Sequence, residues 1–434
     1  MSRLLSGVVA AILLAASASA VSAQSAPAAA ARLSPRDAVL NIAAAIEANY
    51  FDAAKGKAIA DELCAAAGKG AFDRFADPRE LIVELNARLK PKDAHFNVDW
   101  SGEAPAAATG RPAGPPPDFA AELRRRNYGI VAARQLPGNV GLIDMRMFAH
   151  IDFDDPNDPA KKAIDAALLL TSGSDALIID LRDNGGGSPA MVGYLASAFT
   201  PRGADIYNTF LSREGTDTEA PRVPYATPNL TQPVYILISG RTGSAAEAFA
   251  YTMKNAGRAV IVGEPSAGAA NPGDAFRVAG GFRVFVSTGS PVSPITKTNW
   301  EGTGVTPDVV VPSVQALDAA QKLALTAAMQ AVSGPYRVEN QWALDAISPP
   351  QVQVRLADFP GAYGEVRVSV EEGGLRYARG RRPPWDLYPV AEDTFAIRGD
   401  PSRRVRFLRD GQGRVVALEV LSPEGRGGLY RRAQ

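Results

Sequence analysis

Cysteine and histidine are scarce in this sequence of 434 residues, which has one cysteine, Cys64, and two histidines, His95 and His150. A single cysteine excludes an intrachain disulfide and a zinc site built from a cysteine cluster. Two histidines leave few choices for any reaction that needs an imidazole base. We therefore expect neither a metal nor another cofactor.

A net charge is also missing, because 46 lysines and arginines balance 46 aspartates and glutamates. Proteins that bind nucleic acid through its phosphates usually carry a clear basic excess, so the balance argues against a nucleic-acid partner. After the N-terminus no segment has the length and apolarity of a transmembrane helix.

The first 23 residues have the features of a secretory signal peptide. Arg3 provides the positive start, residues 4–14 form the apolar stretch, and Val21-Ser22-Ala23 is a small-residue cleavage site. An N-terminal membrane anchor is the alternative, but the apolar run is short for a bilayer span. We expect export to the periplasm or the extracellular space, without stable membrane insertion after cleavage.

The next part of the chain divides into a tether, a helical domain and a linker. Residues 24–32 are rich in alanine and small polar residues and are predicted to form the tether. Apolar residues then recur at helical spacing, as at Val39, Ile42 and Ile46, which predicts a helical domain over 33–100. Residues 101–117, rich in alanine, glycine and proline, are predicted to form a linker or long surface loop.

Residues 118–334 alternate apolar strands with helices. We predict strands at 140–147, 176–181, 234–238 and 259–262, and helices at 159–170, 189–199, 245–255 and 313–332. Strands that are apolar on both faces and separated by helices indicate a buried, mainly parallel sheet, closed here by the last helix. Functional loops in such a sheet follow the carboxyl ends of the strands.

The chain ends in a β-rich domain, predicted over 346–434. Short alternating strands are separated by glycine turns such as Gly373-Gly374. This pattern predicts a small antiparallel barrel or sandwich, with its many arginines on the solvated strand faces.

Ser244 is the first candidate for chemistry, because it lies where a predicted buried strand turns into a helix. The free N–H groups and the positive dipole end of a helix can stabilise an alkoxide or the oxyanion of an acyl-transfer intermediate. Ser244 and Glu247 also form the sequence pattern of a capping box. On this segment alone the capping interpretation is favoured.

A second loop, residues 180–188, follows the strand predicted at 176–181 and contains Gly185, Gly186 and Gly187. Glycines let backbone N–H groups turn toward a ligand, as an oxyanion hole requires. A phosphate-binding loop is the alternative, but neither phosphate-loop pattern is present.

A serine nucleophile needs a base, and His95, His150 or a lysine could supply it. Glu301 lies between Trp300 and Gly302, where a carboxylate could orient or ionise a neighbouring group. Lys297, close to Glu301 in the sequence, is a further candidate base.

Together these segments resemble the tail-specific, or C-terminal processing, peptidase family. The closer similarity is to its branch containing tricorn protease and interphotoreceptor retinoid-binding protein. The resemblance covers roughly residues 33–312, and it depends on four ordered motifs, at 180–187, 243–247, 262–268 and 301–308.

The resemblance implies a crotonase-like (ClpP-like) α/β catalytic core preceded by a helical N-terminal domain. Ser244 falls on the family nucleophile, and the backbone N–H groups of Gly186 and Ala245 would be the oxyanion donors. Many members use a lysine base shortly after the serine, but residues 267–270 contain no lysine.

The tricorn-like arrangement uses a histidine and a glutamate, and here His95 and Glu301 fall on those positions. The auxiliary serine beside that histidine is replaced by Ala94. The resemblance therefore predicts an exported serine peptidase with Ser244 as nucleophile and His95 as base, acting on a peptide or protein substrate. The alternatives are a non-catalytic binding protein for an apolar ligand and a hydrolase of non-peptidic esters or amides.

Overall fold

The computed structural model describes residues 33–102, 119–371 and 373–433. The predicted signal peptide (1–23), the tether (24–32) and all but the first two residues of the predicted linker (101–117) lie outside the described residues.

The described chain opens with helices that are capped by their sequence. They are α1 (Pro35–Asn49), α2 (Ala53–Gly68) and α3 (Pro78–Leu89), followed by strand β1 (Asn97–Trp100). The side chains of Ser34, Asp52 and Asp77 each accept a backbone N–H from the first turn of the helix that follows. These contacts satisfy N–H groups that have no partner inside the helix.

The central part of the chain alternates helices and strands. Its elements are α4 (Phe119–Arg125), β2 (Ile130–Leu136), β3 (Val140–Met145), α5 (Pro159–Thr171), β4 (Ala176–Asp180), α6 (Pro189–Ser197), β5 (Thr209–Ser212), β6 (Gly215–Thr218), β7 (Val234–Ile238), α7 (Ala245–Asn255), β8 (Ala259–Gly263), β9 (Gly273–Val278), β10 (Phe282–Ser287), β11 (Gly289–Val292), β12 (Val309–Val310), α8 (Ala316–Ala331) and α9 (Pro335–Ile347). The strands and helices predicted here from the sequence agree with these bounds to within three residues. The sequence patterns did not predict α9.

The main sheet has six strands in the order β12-β8-β7-β4-β3-β2, and it is parallel except for the β2–β3 pair. Ile143, Ile179 and Ile236 face a core shared with α5, α6 and α7. Their neighbours along the strands, such as Ile178 and Leu237, face α8 on the other side. Helices therefore cover both faces, which is why the strands are apolar throughout.

The N-terminal helices share their core with the β9–β10 hairpin. Strand β1 pairs antiparallel with β10. Phe282, Val284 and Val286 of β10 are buried in the same cluster as the apolar residues of α1, α2 and α3. This packing fixes the segment between α3 and β1 against the central part of the chain.

The C-terminal part is an eight-stranded antiparallel sheet in sequential order. Its strands are β13 (Gly361–Tyr363), β14 (Val366–Glu371), β15 (Gly374–Arg379), β16 (Trp385–Ala391), β17 (Thr394–Ile397), β18 (Asp400–Arg409), β19 (Val415–Ser422) and β20 (Gly425–Arg431). A bridge between Tyr363 and Arg432 links the first strand to the end of the last. The sequence left a barrel and a sandwich as alternatives, and the structure shows a near-barrel. Arg404 of β18 pairs with Asp345 and lies over the ring of Trp342, which ties α9 to this sheet.

None of the helices in the described ranges has both the length and the apolarity needed to cross a membrane.

Replacing Phe282 with alanine tests the shared core. Phe282 is 5% exposed among the N-terminal helices, so Phe282→Ala should lower the free energy of unfolding by about 3–5 kcal/mol. The neighbouring Arg283→Ala, which removes a partly exposed ion pair with Asp99, should cost about 1 kcal/mol or less. Urea denaturation measures both, and equal losses would show that β10 does not share the helical core.

Candidate active site

Two loops meet at the carboxyl ends of β4 and β7. The Thr242 hydroxyl donates to the Leu181 carbonyl at 2.7 Å, and the Gly243 N–H donates to the Asn184 carbonyl at 3.0 Å. Because the two strands are adjacent and parallel, their following loops emerge at the same edge of the sheet. The glycine loop and the Ser244 segment are therefore held together.

Ser244 has a backbone conformation that is rare for a residue with a side chain. Its φ of 52° and ψ of −121° lie outside the extended region of an ordinary helix cap. The residue pair of a capping box is present, and the Ser244 N–H donates to Glu247 at 2.9 Å, but the Ser244 side chain makes no cap hydrogen bond. Strain of this kind persists only where surrounding contacts hold it, and it concentrates at functional sites.

The contact that holds the Ser244 backbone is the carboxylate of Glu247, which is fully buried. Besides the Ser244 N–H, it accepts the Ser266 hydroxyl at 2.6 Å and the backbone N–H groups of Gly268 at 2.7 Å and Ala269 at 2.9 Å. Four donors satisfy a buried carboxylate that would otherwise be costly. Glu247 thereby joins the turn before α7 to the segment 266–269.

Gly186 lies against the Ser244 turn. A Cβ at Gly186 would lie 2.7 Å from the Ser244 Cβ and 3.1 Å from the Ala245 nitrogen, and the Gly186 φ is +116°. Only glycine leaves that space open. The Ala245 N–H, the first of its helix, donates no hydrogen bond within the described residues.

The Gly186 N–H, however, donates to the Asn184 side-chain oxygen at 2.9 Å. The sequence interpretation expected this N–H to be an oxyanion donor, and in this conformation it is engaged. Asn184 has no exposed surface, and its side-chain amide also donates to the Met145 carbonyl at 2.9 Å. This turn, with a side-chain acceptor two residues before the N–H, is common for asparagine.

His95 lies between two carboxylates. Its Nδ1 is 3.2 Å from Asp93 Oδ1 and 3.4 Å from Glu301 Oε1. The second oxygen of Glu301 accepts the backbone N–H groups of Ala270 at 2.8 Å and Asn271 at 3.0 Å. The structure therefore brings His95 and Glu301 together.

One short segment connects the two groups of residues. Gly268 and Ala269 donate to Glu247, and the next two residues donate to Glu301. Consecutive Cα atoms are about 3.8 Å apart. The Ser244 turn, through Glu247, and the His95 cluster, through Glu301, therefore contact the two halves of one four-residue segment, 268–271.

The carboxylates change the protonation of His95. Burial disfavours the charged ring, but hydrogen bonds with Asp93 and Glu301 and the charges of both raise the pKa of His95 to about 9. Burial also acts to raise the pKa of Asp93, but hydrogen bonds from His95 and Ser287 hold that pKa well below its usual range. At neutral pH the site contains an imidazolium between two carboxylates.

Asp93, His95 and Glu301 offer potential metal-ligand atoms within 4.8 Å of one another. The oxygens of both carboxylates already accept hydrogen bonds from neighbouring protein groups. These contacts fit a hydrogen-bonded ion pair, and we assign no metal to the cluster.

The other candidate bases have different surroundings. His150 is exposed, and its Nδ1 is 2.9 Å from the Ser188 hydroxyl oxygen, beside the glycine loop. Lys297 is exposed and has a φ of 59°. Its neighbour in the sequence, Glu301, makes an ionic contact with His95. Ala94, next to His95, contributes only a methyl group.

Two carboxylates at this site have contacts that the sequence patterns did not predict. Glu247 was interpreted only as half of a capping box, and Asp93 received no role. A partial signal existed for Asp93, because an aspartate two residues before a histidine can accept its backbone N–H, as it does here at 2.9 Å. No local signal showed that Glu247 would bind a segment about twenty residues later.

Comparison with known proteins agrees with the motifs of the central part of the chain. Carboxyl-terminal-processing peptidase 1, chloroplastic, of Arabidopsis thaliana is 30% identical over 174 residues, which are 39% of this chain and 33% of that protein. The second chloroplastic peptidase of that name from Arabidopsis thaliana is 28% identical over 188 residues, 41% of this chain and 34% of its own. The chain thus spans about a third of the length of these relatives.

Among solved structures, a lipoprotein from Streptococcus agalactiae is similar over 69% of this chain and 99% of its own, with 17% identity and a TM-score of 0.44. The model of peptidase family S41 matches residues 139–311, a segment that contains Ser244 and Glu301 and begins after His95. Over that segment the chain is similar to peptidase family S41.

Proposed function

We propose that this protein is a serine peptidase in which Ser244 is the nucleophile and His95 is the general base. The observation that carries the proposal is the strained Ser244 turn, joined through residues 268–271 to a histidine flanked by two carboxylates. A serine, a base and a group that orients the base are what nucleophilic catalysis of acyl transfer requires.

In the proposed reaction, His95 Nε2 takes the Ser244 proton as the oxygen attacks the substrate carbonyl. The imidazolium then gives that proton to the leaving amine as the C–N bond breaks, and water hydrolyses the acyl-enzyme by the same path. Asp93 and Glu301 both contact Nδ1, so the neutral ring keeps its proton there and Nε2 is free to act as base.

The Ala245 N–H is the oxyanion donor that this conformation leaves free, and the space in front of it depends on the missing Cβ of Gly186. The Gly186 N–H contributes to the hole only by giving up or sharing its bond to Asn184. One oxyanion donor accounts for about 10²–10³ in rate, so this exchange would decide much of the activity.

The substrate that this chemistry supports is a peptide bond in a peptide or protein. The match of residues 139–311 to the model of peptidase family S41 and the similarity to two carboxyl-terminal-processing peptidases support that class. We further propose that the central part has the crotonase-like fold and that the protein is exported, the latter from the signal-like residues 1–23.

Serine labelling tests the nucleophile. A fluorophosphonate probe should label the wild-type protein and fail to label Ser244→Ala. The control Ser172→Ala, at an exposed helix end, should label normally. Equal labelling of wild type and Ser244→Ala would reject the proposal. Saturable binding of a fluorescent fatty acid without any acylation would favour the binding-protein alternative.

The pH dependence of activity tests the base. Only neutral His95 can accept a proton, and its pKa is raised to about 9. We expect kcat/KM to rise about tenfold per pH unit below that value and to level off above it. The same raised pKa predicts that stability from His95 is complete below about pH 6.5 and is lost as pH rises through about 9.

A histidine pair provides the control for that profile. His95→Gln should abolish most activity at every pH, whereas His150→Gln should keep the wild-type midpoint. A wild-type midpoint near the ordinary histidine pKa of about 6.5 would contradict the assigned surroundings of His95.

Replacing Glu247 tests the support of the Ser244 turn. Glu247→Gln keeps the side-chain shape but turns an NH₂ group toward N–H donors, so we expect a loss of about 1–3 kcal/mol in unfolding free energy and slower probe labelling. Glu214→Gln, at an exposed glutamate, should change neither. Thermal unfolding and labelling rates measure the two effects, and unchanged labelling would remove Glu247 from the site's support.

A further inference from the structure

Asp93 is a buried carboxylate that the proposed reaction does not by itself explain. Its side chain is 1% exposed. It accepts the Tyr50 hydroxyl at 3.1 Å, the Ser287 hydroxyl at 2.7 Å and the Asn271 amide at 3.4 Å. These donors come from the end of α1, from β10 and from the segment that holds Glu301. Three distant parts of the chain therefore converge on a residue that acts on His95.

We propose that Asp93 is a positioning residue of the peptidase site: together with Glu301 it holds the Nδ1 proton of His95 and so presents Nε2 as the base. The inference depends on the proposed function for its catalytic meaning, although the geometry of Asp93 stands without it.

Asp93 restrains the backbone of His95 as well as its ring, whereas Glu301 contacts only the ring. Its Oδ1 accepts the His95 backbone N–H at 2.9 Å and lies 3.2 Å from the ring Nδ1. A single oxygen thereby fixes both the main chain and the ring of one residue. Phe285 stacks on the ring with centroids 6.3 Å apart and an interplanar angle of 28°, which limits its tilt.

Within the described residues, the charged groups that contact the ring of His95 are Asp93 and Glu301. Tyr50 is the titratable group behind Asp93, and burial together with the Asp93 charge raises the pKa of its phenol far above the usual range. The phenol thus stays protonated and donates to Asp93. The Phe285 face of the ring brings no charge.

Histidine NMR measures this arrangement directly, because the chain has only two histidines. In protein labelled with ¹⁵N-histidine, His150→Gln assigns the two sets of signals. We expect wild-type His95 to titrate near 9 and its neutral form to carry the proton on Nδ1. If the neutral form of His95 in the wild-type protein carried its proton on Nε2, that result alone would overturn the proposal.

Asp93→Asn is the decisive variant. Loss of one of two carboxylates should lower the His95 midpoint by about 1–3 pH units. It should also reduce kcat/KM on the alkaline plateau by at least about tenfold, since the asparagine amide can present its NH₂ to Nδ1 and favour the wrong tautomer. Asp99→Asn, a matched change in the adjacent strand β1 that removes a surface pair with Arg283, should leave the His95 midpoint and tautomer unchanged.

A second variant covers the case in which Asp93→Asn does not fold. Ser287→Ala removes one donor to Asp93 without touching His95. The carboxylate then accepts more strongly from the imidazolium, so the His95 midpoint should rise by a smaller amount, opposite to the fall in Asp93→Asn. An unchanged midpoint and tautomer in the folded variants would reject the role of Asp93. Because NMR needs no turnover, that result is distinct from a failure of Ser244 labelling, which would reject the proposed function instead.

Discussion

The buried carboxylate of Glu247 holds the Ser244 backbone in its strained conformation. The same carboxylate binds the start of segment 268–271, whose last two residues bind Glu301. An ionised group without solvent must have several donors, and here those donors come from both sides of the site. The requirement to satisfy one buried charge therefore sets the distance between the Ser244 turn and the residues that contact His95. Small residues at 267–270 let the backbone, not side chains, make these contacts.

The environment of His95 combines two effects that act against each other. Two carboxylates fix the ring and would stabilise an imidazolium formed in the reaction. The same charges raise its pKa to about 9, so only about one molecule in a hundred has a neutral ring at pH 7. For the proposed reaction, this arrangement orients the imidazole but leaves little of it neutral, and so able to accept a proton, at neutral pH.

The helical N-terminal region is part of the site and not only an addition to the sheet. His95 follows α3, and its position depends on the packing of Phe282 and Val284 against the helices and on Ser287 bonding to Asp93. The segment that matches the family model begins after His95. The residues around His95, the proposed base, thus come both from outside the matched segment and from the β9–β10 hairpin within it.

The alternation of apolar strands and helices by itself determined the parallel sheet, because a strand buried on both faces must be apolar throughout. Turn glycines and alternating strands likewise determined the antiparallel C-terminal sheet. Motifs placed Ser244, Gly186 and Glu301 on loops, and family resemblance selected His95. Tertiary structure decided that the Gly186 N–H is bound by Asn184, that Asp93 faces His95, and that Glu247 supports Ser244 and not merely its helix. The contact of Ser287 with Asp93 joins residues 194 positions apart, and local sequence patterns carry no information on which distant donors a buried charge will meet.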